Sequence, residues 1–217
     1  MNWQPPNIWQ GGECWIIGGG RSMPEQFGVP TGLIDRVHNQ KTYPSAYSPY
    51  LAPLQDKHVI GVNDAYKIGH WIDFLFFGDH SWYLPNKINL AQWPGLKFTC
   101  SPRFAKSTDP QDIKYLAKDS KHKKGMTTKA GHVAWNNNSG AAAINLAYHL
   151  GVKKVYLLGF DMQRIHGATH WHRGWGKQKN PPFTKHLEGF PYIAEDAQKA
   201  GMEIINVSPN SKITAFP

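Results

Sequence analysis

The chain predicts an α/β fold: a Rossmann-like, mostly parallel open sheet flanked by helices, built as a single domain over residues 1–217 with long loops. Three observations lead there. Short apolar runs recur along the sequence, each ending at glycine or a small polar cluster, as buried parallel strands do. The stretch 136–161 reads as turn, helix, turn, strand and acidic tip. In it, Asn136-Asn137-Asn138-Ser139-Gly140 opens a small-residue helix, Gly151 stops it, and Val155 to Leu158 runs into Gly159-Phe160-Asp161. A length of 217 residues with 41% hydrophobic content suits one sizeable core and is short for two.

Taken in order, residues 1–10 with Pro5-Pro6 read as an irregular arm. Glu13 to Ile17 is a first buried strand, followed by Gly18-Gly19-Gly20-Arg21-Ser22. Glycines there let backbone approach a ligand and turn amides toward phosphate, although the spacing is not a dinucleotide fingerprint and a plain tight turn fits equally well. Pro24 to Pro53 is rich in proline and tyrosine with poor periodicity; it is expected to be a long surface loop with a short helix, its part from Thr42 suited to an oligomer contact. His58 to Val62 and Trp71 to Phe77 are the second and third strands, ending at Asn63-Asp64 and at Gly78-Asp79-His80-Ser81. Those polar ends suit a strand-tip site, or else cap the helices that follow.

Lys97 to Cys100 is a fourth strand, and Pro110 to Lys118 carries a modest helical pattern through Ile113 and Leu116. Ser120 to Gly131 is basic, with little to bury, and reads as a lid or a plain loop. His132 to Trp135 returns to extended structure. Lid-like loops are therefore expected at about 103–132 and 162–186, the second too long for an uninvolved connection. Leu187 to Ala200 is helical, with Pro191 bending it or marking its true start. Glu203 to Val207 is the last strand, Ser208-Pro209-Asn210-Ser211 follows, and the tail 212–217 packs back.

The formal charge of +9 is unevenly spread. Nine Lys or Arg lie between Lys97 and Lys129, and no acidic residue lies between Asp161 and Glu188. Such patches favour nucleotide phosphates, nucleic acid or an acidic acceptor. No apolar run is long enough for a membrane span, and the N-terminus lacks the order of a signal peptide, so the expectation is a cytoplasmic protein with no membrane partner. Cys14 and Cys100 lack metal spacing and read as reduced structural residues.

Five strand-end motifs, in this order, resemble the small bacterial sialyltransferases and the related 6-hydroxymethylpterin pyrophosphokinase-like proteins. Gly18-Gly19-Gly20-Arg21-Ser22 is similar to their Gly-Asn-Gly-Pro-Ser loop, and Val62-Asn63-Asp64 to their second-strand Asn motif. Asn138-Ser139-Gly140 resembles their helix start, Leu158-Gly159-Phe160-Asp161 their Gly-x-Asp tip, and Ser208-Pro209-Asn210-Ser211 their Pro-Asn-Ser. The resemblance implies a Rossmann-like domain binding a cytidine or related nucleotide. Gly19, Gly20, Ser22, Asn63, Asp64, Asp79, Asn138, Ser139, Gly140, Gly159 and Asp161 would line it, and Pro209, Asn210 and Ser211 would close one side. It also implies a late histidine as general base, for which His186 is best placed, and a phage-encoded origin with the host cytoplasm as compartment. Gly19 and Arg21 depart from the family's Asn and Pro. The tyrosines that assist the leaving phosphate are absent, with Gln163 and Ala168 roughly in their place.

The loop 166–175 is chemically the most loaded. A transferase needs a base for the incoming hydroxyl and a cation or proton donor for the leaving phosphate. His170 or His172, with Arg173, is expected to replace the missing tyrosines. A competing reading makes His170 and His172, with His166 or Asp161, a metal site; another makes them surface histidines. His149 is expected to pack or cap near a helix end. The leading function is a nucleotide-dependent transferase, glycosyltransferase-like, with a CMP-type or other nucleotide-sugar donor and an unknown acceptor. The alternatives are a pyrophosphokinase acting on a pterin-like alcohol with ATP and Mg²⁺, its carboxylates drawn from Asp64, Asp79 and Asp161, and a non-catalytic nucleotide- or nucleic-acid-binding protein. A homo-oligomer is among the expected partners.

Overall fold

The computed structural model describes residues 4–106, 112–173 and 180–217. In chain order the strands are β1 (Glu13–Ile17), β2 (Val59–Val62), β3 (Phe74–Phe77), β4 (Leu96–Thr99), β5 (Lys114–Tyr115), β6 (Ala117–Lys118), β7 (His132–Val133), β8 (Lys154–Leu158) and β9 (Glu203–Asn206). The helices are α1 (Ser22–Gln26), α2 (Thr31–His38), α3 (His80–Gln92), α4 (Ser139–His149), α5 (Phe183–Leu187) and α6 (Phe190–Lys199).

Seven strands form one parallel sheet in the order β5-β4-β3-β2-β1-β8-β9. The chain winds outward from β1 to β5, then crosses back to build β8 and β9 on the other side. This is a Rossmann-like α/β fold, and its topological switch point lies between β1 and β8. The strands read as continuous apolar runs because both faces are covered. Cys14, Ile16, Phe74, Phe76, Val155 and Leu157 pack toward α4 and α6. Their alternates Ile17, Leu75, Phe77 and Leu158 pack toward α2, α3 and the 3₁₀ segments Pro44–Leu54 and Asn63–Ile68. Each fully buried side chain of this size stabilises the fold by roughly 1.5–3 kcal/mol relative to exposure.

Three expectations are corrected. Pro24 to Pro53 is no surface loop: α1, α2 and the 3₁₀ segment occupy it, and Tyr47, Leu51 and Leu54 are buried in the second core. Within the Thr42–Pro53 stretch, which the sequence suits to an oligomer contact, Tyr43 is exposed and Tyr47 is buried against Trp171. The helix expected at Pro110–Lys118 is strand where described: Lys114–Tyr115 extends the edge of β4, and Ala117–Lys118 pairs with His132–Val133. Ile113 and Tyr115 face one core while Leu116 faces the other, an alternation of two that the three-residue step concealed. Pro110 itself lies outside the described residues.

The loop 120–131, read as having little to bury, holds buried Met126 and Thr127. Asn145, fully buried on α4, accepts from Thr127 N at 3.0 Å and Ala134 N at 2.9 Å and donates to Thr127 O at 3.0 Å. Asn136 accepts from Gly125 N at 2.8 Å and donates to Gly125 O at 2.9 Å. The sequence reading also left α3 undelineated, because Pro85 and the exposed Leu84 and Ile88 blur its apolar period. Pro191 stands in the first turn of α6 and so marks its start. No helix among the described residues is long and apolar enough to cross a membrane.

Candidate functional site

The strand tips around the switch point enclose a crevice of about 270 Å³. Gly18 to Gly20 leave β1, Asn63 leaves β2, Asp79 leaves β3, and Gly159 to Asp161 leave β8. Asn138, Ser139 and Gly140 open α4 from below, and Thr169, His170, Pro182, Phe183 and His186 close the crevice from the long loop and α5. The fold thus brings together Gly19, Gly20, Asn63, Asp79, Asn138, Ser139, Gly140, Gly159, Asp161, His170 and His186 of the residues the sequence singled out.

The floor is tightly packed. Gly20 N donates to Gly159 O at 2.8 Å, and a Cβ on Gly20 would stand 2.5 Å from that oxygen and 2.6 Å from the Asp161 carboxylate. A Cβ on Gly19 would stand 2.5 Å from His170 Cδ2. Buried Trp171 straps this loop down: its backbone N donates to Gly19 O at 2.9 Å and its indole to Gly18 O at 3.0 Å. Gly19 N–H, flanked by bonded neighbours, has no protein partner among the described residues.

Two side-chain atoms of residues that line the crevice are also left over. Asn63 Oδ1 and Asn138 Nδ2 are buried with no hydrogen-bond partner among the described residues. Asn63 sits at φ 52°, left-handed backbone that Asn tolerates and most residues avoid. Asn138 is the N-cap of α4, its Oδ1 accepting from Gly140 N at 2.8 Å and Ala141 N at 3.2 Å, which leaves its amide aimed away from the helix. Buried polar atoms normally find partners, so an acceptor, a donor and a backbone N–H without protein partners among the described residues, all on residues lining one cavity, leave hydrogen-bonding capacity for a polar ligand.

Asp161 holds the loop together. Its carboxylate accepts from Ser22 N at 3.0 Å and from Ser22 Oγ, which places Ser22 behind the crevice wall and not in it. Burial raises the Asp161 carboxyl above the usual range, and the Ser22 bonds offset that only in part. Pro209, Asn210 and Ser211 do not close the pocket as expected. They stand behind the β8 tip, where Ser211 Oγ donates to Phe160 O at 2.7 Å and Ser208 Oγ accepts from Phe160 N at 2.8 Å.

Burial lowers the His186 imidazole, with Asp79 opposing, and lowers His170 to about 3, aided by the neighbouring His172. His170 is therefore neutral near pH 7 in the free protein and is not the expected cation for a leaving phosphate. His172 and Arg173 turn away from the crevice altogether. His172 Nδ1 faces Asp64 Oδ2 at 3.5 Å, and both residues line a second cavity together with Arg173. Asp64, expected at the nucleotide, accepts from Trp82 Nε1 at 3.1 Å and pairs with Lys67. No lysine or arginine among the described residues lines the crevice, so its positive pole is the N-terminus of α4.

The metal reading loses its ligand set: His170 and His172 face different cavities, His166 lies exposed beside Glu25, and no group of three or more His, Cys, Asp or Glu that could hold a metal exists among the described residues. Asp64 lines the second cavity while Asp79 and Asp161 line the crevice, Asp161 already engaged by Ser22, so the three carboxylates of the pyrophosphokinase alternative do not share one site. His149 Nε2 meets His132 O at 2.8 Å, a packing role. Sequence reasoning missed Trp135, whose indole fits only because residue 78 is glycine (a Cβ there would lie 2.1 Å away), and Trp171, overshadowed by the histidines on either side.

No family model matches the chain, and no curated protein matches it. Among solved structures, the sialyltransferase CstII from Campylobacter jejuni in complex with cytidine-5'-monophosphate is similar, at TM-score 0.50 and 14% identity over 94% of this chain and 83% of that one. This chain has a sialyltransferase-like fold. The same enzyme with CMP-3FNeuAc aligns at TM-score 0.49 and 13% identity, over 94% and 84%. At these identities the likeness is one of architecture.

Proposed function

We propose that the chain is a nucleotide-sugar-dependent transferase of glycosyltransferase type, taking a CMP-type donor in the switch-point crevice. The observation that carries this reading is the set of groups without a protein partner among the described residues, Asn63 Oδ1, Asn138 Nδ2 and Gly19 N–H, all on residues that line the crevice together with the N-terminus of α4. An acceptor and donors so mixed suit a nucleotide: an amide or hydroxyl of the nucleoside for Asn63, phosphate oxygens for Asn138 and Gly19. The similar CstII structure holds cytidine monophosphate, which favours cytidine among the bases.

In the reaction, the acceptor oxygen bonds to the anomeric carbon of the sugar as the bond from that carbon to the phosphate oxygen breaks. The electron pair leaves with the nucleoside monophosphate, and the acceptor proton goes to a base. His186 is that base in this reading. Burial keeps its imidazole neutral and able to accept a proton near pH 7, and Asp79 stabilises the imidazolium that results. The α4 N-terminus and Gly19 N–H take up the charge on the departing phosphate.

The test is a thermal-shift panel of CMP, CDP, UMP, AMP and GMP. CMP is expected to raise the wild-type Tm and to leave Asn63→Gly unmoved, glycine keeping the left-handed backbone while removing the amide. A panel without any shift, or an equal shift in Asn63→Gly, would overturn the reading.

A further inference from the structure

Behind the Thr169–Arg173 strap lies the second cavity, of about 480 Å³. His170 looks into the crevice and His172 into this cavity, their ring centroids 5.1 Å apart. The base of the second cavity is a closed polar network. Asp64 is 2% exposed at its side chain, and its charge is met by Lys67, by Trp82 Nε1 and by the facing imidazole of His172, itself 7% exposed. Above that network stand Lys41, from the turn after α2, and Arg173, both exposed cations with no acidic partner among the described residues. With Lys67 and Asp64 cancelling, the cavity carries a net charge of about +2, with the donors of Asn89 and Thr42 on its walls.

We propose that this second cavity binds a phosphate dianion, and that Arg173 and Lys41 are its principal contacts. A concave wall carrying two cations without an acidic partner among the described residues, over a hydrogen-bonded Asp64–Lys67 base, matches a doubly charged group, and a guanidinium fork reads phosphate oxygens two at a time. The cavity is far larger than a phosphate ion, so the group is carried on a small polar molecule such as a sugar phosphate. This site is independent of the nucleotide reading. It also gives Arg173 a role on the far side of the strap from the leaving phosphate that the sequence had assigned to it.

The experiment is isothermal titration of the whole chain with inorganic phosphate and, separately, with glucose 6-phosphate, in wild type, Asn63→Gly, and the double variant Lys41→Ala with Arg173→Ala. Both altered cations are exposed, and unchanged Tm values would show that the double variant folds. Binding that persists in Asn63→Gly and weakens about tenfold or more in the double variant is the expected result, since both charge-assisted contacts are lost. Tighter binding of glucose 6-phosphate identifies a phosphorylated small molecule as the ligand; equal or tighter binding of inorganic phosphate identifies the free ion. Equal affinity in wild type and double variant, loss of binding in Asn63→Gly, or no binding of either probe would overturn the proposal. The nucleotide reading stands or falls on Asn63→Gly in the thermal panel and this proposal on the double variant, so either can fail alone.

Discussion

At the scale of single residues, the crevice is set by what its polar atoms lack. Asn63 and Asn138 each leave a buried atom without a partner among the described residues, while Asp161 is engaged with Ser22. Asn63→Ala is therefore expected to cost about 1 kcal/mol in urea unfolding, because alanine is strained at φ 52°, whereas Asn63→Gly leaves stability nearly unchanged. Equal losses for the two variants would mean that the amide, and not the backbone, supports the fold. His186→Ala is expected to lower transfer or hydrolysis of a CMP-sugar by about 100-fold or more while CMP affinity is kept. A parallel loss of CMP affinity would make His186 a binding residue. The acid limb of stability separates two buried carboxylates. Burial by itself raises Asp64, but the facing His172 and Lys67 outweigh it and hold its carboxyl below the usual range. Its ionised form is favoured by folding, so its contribution is present above about pH 4 and fades as pH falls through the folded value. Asp161 is shifted the other way, so its contribution is present below about pH 4 and fades as pH rises through its folded value. Urea unfolding between about pH 5 and about pH 3 should therefore flatten in Asp64→Asn and steepen in Asp161→Asn; a common sign would contradict the assigned environments.

At the scale of elements, α4 does two jobs. Its first turn faces the crevice through Asn138, Ser139 and Gly140, and its middle holds the 120–131 loop through Asn145. Asn145→Ala strips three buried hydrogen bonds at once and is expected to cost about 2–4 kcal/mol in denaturant unfolding; a loss under 1 kcal/mol would show that water replaces the clasp. What was legible in the sequence follows the same division. The strand β1, the β8 tip and the start of α4 were readable because buried runs end at glycine or a capping residue. The strand β5 was not, because two residues at a sheet edge are held by backbone bonds to β4, and Ile113 and Leu116 fit either period. The crevice floor was legible from Gly19, Gly20 and Asn63 for the same local reason. The facing of His172, Arg173 and Asp64 was not, because the strap is oriented by Trp171 bonding to Gly18 and Gly19, partners far away in sequence.

At the scale of the whole molecule, the strand order carries the functional argument. Reversal of the strand order between the parallel strands β1 and β8 brings four strand ends and one helix start to a single crevice without any lysine or arginine in its described lining, although the chain as a whole carries +9. In the proposed function, bulk charge steers the nucleotide toward the protein, and local backbone and amides hold it. Raising ionic strength is accordingly expected to slow nucleotide association more than it weakens the bound state, measurable by stopped-flow rates at low and high salt; an affinity loss carried by dissociation would place charged side chains at the nucleotide. The most direct measurement of the central claim is a crystal structure of the chain grown with CMP. Our account places the phosphate at the N-terminus of α4 beside Gly19, with Asn63 Oδ1 and Asn138 Nδ2 both hydrogen-bonded to the nucleotide. CMP found away from the switch point, or lying in the crevice with those two atoms still unpartnered, would contradict it.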